Sequence, residues 1–123
     1  MPVVTTPAGA VRGVRDEYGE LYRAIPYAAA PRGAGRFAPP EPHPGWSGVR
    51  DAARPAPTAP QPERDFGRLD MRPYFGPGWV RGAEYLALDV RTPAADAGKR
   101  PVMVFVHGGG FVTGSTRAAL YDG

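Results

Sequence analysis

Three glycines that follow an apolar run and a histidine are the part of this sequence best suited to chemistry. Residues 102–106 read VMVFV and lead into His107, Gly108, Gly109 and Gly110. A continuous apolar run predicts a strand that is buried on both faces of a parallel or mixed sheet. Successive glycines adopt unusual backbone angles and turn their N–H groups toward one point, where an anion binds. We therefore expect this strand to deliver an anion-binding loop to the edge of a sheet.

The chemistry that uses such a loop is acyl transfer, in which backbone N–H groups stabilise the oxyanion of a tetrahedral intermediate. A dinucleotide site requires G-x-G-x-x-G, and a phosphate loop requires G-x-x-x-x-G-K-[ST]. Residues 108–114 read GGGFVTG with no lysine after them, so neither nucleotide motif fits. The histidine, the glycines and the following Gly114-Ser115 match the HGGG-type pattern of lipases and esterases. A plain flexible loop after the strand is the remaining alternative.

The other groups that covalent ester hydrolysis requires are not visible in the sequence. A nucleophile, a base and an orienting acid are needed. The nucleophile elbow has the pattern G-x-S-x-G, which is absent around Ser47 (GWSGV) and around Ser115 (TGSTR). His43 lies in a proline-rich stretch, and His107 is expected to be structural, with its ring nitrogens bonded to nearby backbone groups. The sequence thus predicts an oxyanion-binding segment without a visible triad.

Composition limits the other classes of function. The formal charge of +3 comes from scattered arginines, so no basic run predicts a nucleic-acid site. The chain has no cysteine and only two histidines, which excludes disulfides, thiolate metal sites and a zinc centre made by histidines alone. No cofactor is implied. Residues 1–6 lack the features of a signal peptide and no segment has the length of a membrane span, so we expect a cytoplasmic protein of unassigned oligomeric state.

Turn-forming residues divide the N-terminal part into short strands. We predict strands at residues 3–6, 9–14 and 20–25, which together would form an antiparallel meander. Prolines and glycines exclude any long helix or strand in residues 31–62. We expect this stretch to be a loop that Phe37 and Trp46 pin onto the sheet.

Three weaker elements are predicted in the rest of the chain. Residues 66–71 are expected to form one helical turn before prolines and glycines break it. Residues 84–90 alternate as a strand would, with Leu86, Leu88 and Val90 on one face, and Thr92-Pro93 ends it. Residues 116–121 are compatible with the start of a helix.

Taken in order, these pieces resemble the N-terminal part of a type-B carboxylesterase, the family that also contains the cholinesterases. The resemblance covers nearly the whole chain. It implies an α/β-hydrolase fold, with small antiparallel N-terminal strands leading into a mixed central sheet, and makes residues 1–123 the N-terminal portion of a single domain. The matching pieces are Val11-Arg12-Gly13, Ile25-Pro26-Tyr27-Ala28, Arg36-Phe37 with Pro39-Pro40, Trp46, Val49-Arg50-Asp51-Ala52, Leu86, Leu88, Val90 with Thr92-Pro93, residues 101–111 and Gly114-Ser115.

The resemblance also implies an activity and a role for each glycine. In the family, a serine enzyme hydrolyses small-molecule carboxylic esters. Gly109 and Gly110 correspond to the backbone N–H donors of the oxyanion hole, and Gly108 supports the turn. The nucleophile, acid and base of the family lie beyond Gly123, so the chain alone is expected to be inactive. The alternative is a non-catalytic remnant or interaction module that kept the front half of the fold.

Departures from the family pattern affect three positions. Ala24 stands where the family usually has glycine. Tyr85 stands where it has a disulfide cysteine, which suits a disulfide-free, bacterial-type member. Ala83 replaces the acid that pairs with Arg36, and Glu84 is the alternative partner for Arg36 by a shift of one residue.

Overall fold

Two three-stranded sheets form the regular part of this protein. The computed structural model describes residues 1–121. One α-helical turn, α1 (Arg72–Phe75), and two 3₁₀ turns, at Gly33–Phe37 and Ala119–Tyr121, complete its regular elements. No helix in this described range has the length and apolar character needed to cross a bilayer. The strands are β1 (Val3–Thr6), β2 (Gly9–Arg12), β3 (Val14–Asp16), β4 (Gly19–Pro26), β5 (Val49–Asp51) and β6 (Ala87–Thr92).

The chain passes from the first sheet to the second at Gly13. The first sheet has the order β1-β2-β5, with β1 antiparallel and β5 parallel to β2; the second has the order β3-β4-β6 and is antiparallel throughout. A Cβ at Gly13 would lie 2.5 Å from the Leu21 carbonyl oxygen. The predicted hairpin between residues 3–6 and the start of 9–14 is correct. The second hairpin instead pairs Val14–Asp16 with Gly19–Pro26 in the other sheet. The single strand over 9–14 and the continuous meander are therefore wrong, because the two sheets meet at Gly13.

Trp46 holds the long loop against the core. Val11, Tyr22 and Ala52 form the buried cluster, and the Trp46 ring packs against it. The indole Nε1–H donates to the Ala10 carbonyl at 2.7 Å. Trp46 is therefore confirmed as a contact between loop and sheet.

Phe37, in contrast, is 96% exposed. It ends a 3₁₀ turn, Gly33–Phe37, in which no residue is buried. Its predicted pinning role is wrong, because the turn that carries it does not pack on either sheet.

The later elements are displaced from their predicted positions. The helical turn predicted at 66–71 occurs instead at α1, where the Asp70 carboxylate accepts the Arg72 N–H at 3.1 Å and Pro73 suits the first turn. Strand β6 begins three residues later than predicted, because its pairing with β4 begins at Ala87, opposite Pro26. It ends at Thr92 as expected. Only the 3₁₀ turn at Ala119–Tyr121 occupies the predicted helix start.

Residues 102–106 are not a buried strand in the described structure. Their side chains are between 65% and 89% exposed. A central strand requires hydrogen-bonded neighbours on both sides and apolar cover on both faces. Neither sheet formed within residues 1–121 includes this run. The predicted burial is therefore wrong here.

A buried carboxylate ties the second sheet together. Glu20 is 3% exposed and accepts hydrogen bonds from the Arg15 guanidinium, from the Tyr22 hydroxyl at 2.8 Å and from the Ala95 N–H at 3.0 Å. The hydrogen bond from Arg15, and then the one from Tyr22, lowers the pKa of Glu20. Burial, reinforced by Glu20, raises the pKa of Tyr22 to about 12. These bonds connect β3, β4 and the segment that follows β6.

Ala24 is held in a backbone conformation that favours glycine. Its φ is +56°, at an irregularity in the pairing of β4 with β6, and its N–H donates to Asp89 Oδ1 at 2.9 Å. A side chain in the left-handed region costs about 1 kcal/mol. We expect Ala24→Gly to raise the free energy of unfolding, measured by urea denaturation, by about 0.5 kcal/mol.

The matched control is Ala28→Gly. Ala28 is 5% exposed and has no positive φ, so the same exchange should destabilise the protein by about 0.5–1 kcal/mol. A loss of stability in both variants would contradict the strain assigned to Ala24.

Candidate oxyanion-binding site

The glycine segment forms a turn that is closed by its own hydrogen bonds. Gly109 and Gly110 have φ values of +134° and +61°, and Phe111 follows at +64°. The Gly109 carbonyl accepts the N–H of Val112 at 3.2 Å and that of Thr113 at 3.1 Å. It also accepts the Thr113 hydroxyl at 3.2 Å. Three donors on one carbonyl fix the chain reversal over residues 109–113.

The backbone N–H groups of Gly109 and Gly110 remain unpaired within residues 1–121. Neither is a donor in a hydrogen bond between described residues. Gly109 is half-buried and Gly110 is exposed. Unpaired N–H donors on adjacent residues are the groups that an anionic oxygen requires.

Glycine is required at Gly109 and at Gly110 for different reasons. A Cβ on Gly109 would collide with the carbonyl oxygen of Thr113, within the turn itself. Gly110 has open space around it, but its φ of +61° favours glycine. Gly108 has open space and no positive φ. In the described structure, glycine is therefore required more strictly at Gly109 and Gly110, the two predicted donors, than at Gly108.

His107 contacts backbone. Its Nδ1 lies 2.8 Å from the Gly108 carbonyl oxygen. Because a carbonyl oxygen only accepts, Nδ1 carries the hydrogen in this contact. The ring thus bonds to its own segment, as expected for a structural histidine.

The two serines of the sequence occupy different environments, neither of them a nucleophile elbow. Ser115 is 8% exposed, and its Oγ accepts the Arg117 N–H at 3.2 Å. Arg117 Nη1 donates to the Ala56 carbonyl at 2.8 Å. Ser47 lies exposed in the loop before β5. Ser115 therefore has a structural role in the segment that follows the glycine turn.

Glu84 has partners other than the predicted one. It accepts the Arg50 guanidinium at 2.7 Å and lies 3.5 Å from His43 Nε2. The hydrogen bond from Arg50 lowers the pKa of Glu84. Arg36 is exposed in its 3₁₀ turn, so the expected pairing with Glu84 is wrong: Arg50, on β5, is the arginine that the sheet places beside this carboxylate.

His43 is held within the same cluster. Its Nδ1 accepts the Gly45 N–H at 3.0 Å, and its ring meets Trp46 edge-on at 5.7 Å between centroids. These contacts give His43 a structural role beside the core. Within residues 1–121, no cluster of three or more His, Asp or Glu side chains is arranged to hold a metal ion.

A cleft of about 190 Å³ lies beside the glycine turn. Tyr27 and Leu86 line one part of it, and His107, Phe111 and Val112 line another. The cleft is therefore bordered by the residues that flank the unpaired donors.

Gln61 is a neighbour of the turn that sequence reasoning missed. Its amide bonds to Gly114, 53 residues further along the chain. A single glutamine in a proline-rich stretch has no pattern or spacing that would have predicted this contact.

Comparison with known proteins assigns the family. The model of the carboxylesterase family matches residues 1–123. The chain belongs to the carboxylesterase family. The predicted membership is thus confirmed.

Relatives and solved structures agree with this assignment. Over 120 residues the chain is 40% identical to phenmedipham hydrolase of Pseudarthrobacter oxydans, covering 98% of this chain and 24% of that protein. It is 35% identical over 122 residues to para-nitrobenzyl esterase of Bacillus subtilis (strain 168), again covering 98% and 24%. The carboxylesterase EST55 of Geobacillus stearothermophilus superposes with a TM-score of 0.78 at 39% identity, covering 98% of this chain and 22% of that one.

The match to solved carboxylesterases also confirms the fold class. The small mixed sheet and the small antiparallel sheet observed here are part of the α/β-hydrolase fold. This carboxylesterase-family chain spans about a quarter of the length of the relatives it matches.

Proposed function

We propose that this chain supplies the oxyanion-binding segment of a serine esterase that hydrolyses small-molecule carboxylic esters. The observation that carries the proposal is the pair of unpaired N–H groups on Gly109 and Gly110, in a turn closed at the Gly109 carbonyl. The family assignment and the names of the relatives support ester hydrolysis.

The chemistry follows from what the turn offers. When a nucleophile attacks an ester, the carbonyl oxygen gains negative charge as the carbonyl carbon becomes tetrahedral. Fixed N–H donors bind this charge more strongly than the neutral ester oxygen, which lowers the barrier. Gly109 and Gly110 would provide two of these donors. The nucleophile, base and acid would come from residues outside this chain.

We further propose that residues 1–123 are the N-terminal portion of a single α/β-hydrolase domain. Two observations support this. The chain spans 22% to 24% of its relatives, and the apolar run at 102–106 has no strand partner in the described structure. Strands from the rest of such a domain would supply that partner.

The purified chain of residues 1–123 is expected to show no saturable hydrolysis of an aryl acetate and no covalent labelling by a fluorophosphonate, because it lacks a nucleophile elbow. The product of the complete reading frame should show both. Saturable activity of the 123-residue chain that disappears on Gly109→Pro would overturn the proposal of an inactive portion. A complete product that folds cooperatively but is neither active nor labelled would favour the non-catalytic interaction module instead.

A further inference from the structure

We infer that Gln61 is a positioning residue for the oxyanion-binding turn, which it holds through Gly114. The inference rests on the proposed function for its catalytic consequence. Its structural part rests only on contacts within the described chain.

The side-chain amide of Gln61 forms two hydrogen bonds with the backbone of Gly114. Its Nε2 donates to the Gly114 carbonyl at 3.1 Å, and its Oε1 accepts the Gly114 N–H at 3.1 Å. Nε2 also donates to the Ala59 carbonyl at 3.2 Å. The side chain is half-buried. Using both amide atoms on one residue fixes position and direction together, as the paired bonds of a sheet do.

Gly114 in turn packs against the start of the glycine turn. A Cβ on Gly114 would collide with the Gly108 carbonyl oxygen and would lie 2.8 Å from His107 Nδ1. Its φ is +95°, which also favours glycine. The residue before it, Thr113, donates twice to the Gly109 carbonyl. A displacement of Gly114 would therefore disturb the turn at its start, through Gly108, and at its end, through Thr113. The two unpaired donors lie between these contacts.

The surrounding loop has a separate attachment that does not involve the turn. The Thr58 hydroxyl donates to the Gly78 carbonyl at 3.1 Å and accepts the Val80 N–H at 2.9 Å. Thr58 is 1% exposed. Since these bonds hold residues 58 and 78–80 together, the two bonds from Gln61 to Gly114 are not needed for that attachment. This separation makes Thr58 a matched structural control.

The first test is amide hydrogen exchange, which requires no activity. Gln61→Leu keeps the approximate size of the side chain and removes its hydrogen bonds. We expect exchange at Val112, Thr113 and Gly114 to accelerate at least about tenfold. The Gly114 N–H loses its acceptor, Gln61 Oε1. The N–H groups of Val112 and Thr113 lose the fixed turn in which they donate to the Gly109 carbonyl. Thr58→Val should leave these three amides within about twofold of the wild type. Unchanged exchange in Gln61→Leu would overturn the inference.

The second test uses the product of the complete reading frame and an aryl acetate. Gln61→Leu is expected to lower kcat about tenfold with KM within about twofold, since misplaced donors weaken transition-state binding most. The inhibition constant of a trifluoromethyl ketone, whose adduct carries an oxyanion, should rise by a factor similar to the loss in kcat/KM. Thr58→Val should retain kcat even where it lowers the melting temperature as much as Gln61→Leu.

The outcomes separate the two proposals. A wild-type product without esterase activity overturns the proposed function, and with it the catalytic part of this inference, while the exchange result decides the structural part. An active wild type whose Gln61→Leu variant keeps kcat, or whose Thr58→Val variant loses it equally, overturns the positioning role alone.

Discussion

Gly109→Ala is expected to lower kcat for an aryl ester about a hundredfold in the complete esterase that we propose, the loss associated with one oxyanion donor. The added methyl group would collide with the Thr113 carbonyl oxygen. The φ of +134° at Gly109 is also unfavourable for alanine. Both effects displace the turn, so the N–H groups of Gly109 and Gly110 no longer meet the charge. Steady-state kinetics at saturating substrate measure this loss. KM should change much less, because the ester ground state carries little charge on its carbonyl oxygen.

The control for this prediction is Gly35→Ala. Gly35 is exposed, has open space for a Cβ and has no positive φ, so kcat should stay within about twofold. Circular dichroism of both variants establishes that they fold. A folded Gly109→Ala variant with wild-type kcat would reject the assignment of Gly109 as a donor position.

Trp46→Ala is expected to lower the free energy of unfolding by about 3 kcal/mol, in the range for loss of a large aromatic side chain from a core. The indole packs on the cluster around Val11 and donates to the Ala10 carbonyl at 2.7 Å. It also lies over Gly9, where a Cβ would be 2.5 Å from Nε1. Removing the ring opens a cavity and leaves the loop before β5 without its main contact. Urea denaturation followed by circular dichroism measures the change.

Trp79→Ala provides the matched control. Trp79 is 37% exposed, and its ring lies 4.1 Å from the Arg81 guanidinium. Exposed contacts of this kind contribute about 0.5–1 kcal/mol, so the loss should be no larger. Equal destabilisation by the two substitutions would show that Trp46 does not hold the core as described.

Local patterns in the sequence were sufficient for the features that depend on neighbouring residues. The first hairpin follows from turn residues between short β-prone runs, and Trp46 is one of two large aromatic side chains in a loop rich in prolines, glycines and small residues. The glycine triplet indicated a turn, and the structure supplies the reasons: a collision at Gly109 and a positive φ at Gly110. The donor roles of these glycines stay a prediction.

Contacts between distant segments were beyond such reasoning. The sequence could not show that Glu84 would lie beside Arg50 rather than Arg36, because the choice depends on where β5 joins the first sheet. The amide of Gln61 meets Gly114 across 53 residues without any periodic signal. Burial of residues 102–106 was predicted from their composition, but burial depends on partner strands that composition does not contain.

The unpaired run at 102–106 has a consequence for biosynthesis. The hairpins β1-β2 and β3-β4 join residues close in sequence, so they can form soon after they leave the ribosome. The apolar run does not pair within the described chain and stays in contact with water. Lys99 and Arg100 lie just before it and are separated from it by Pro101; charged residues at such a position oppose intermolecular strand pairing. In a nascent chain that pauses at this point, these two charges would oppose pairing of the exposed run with the same run of another chain.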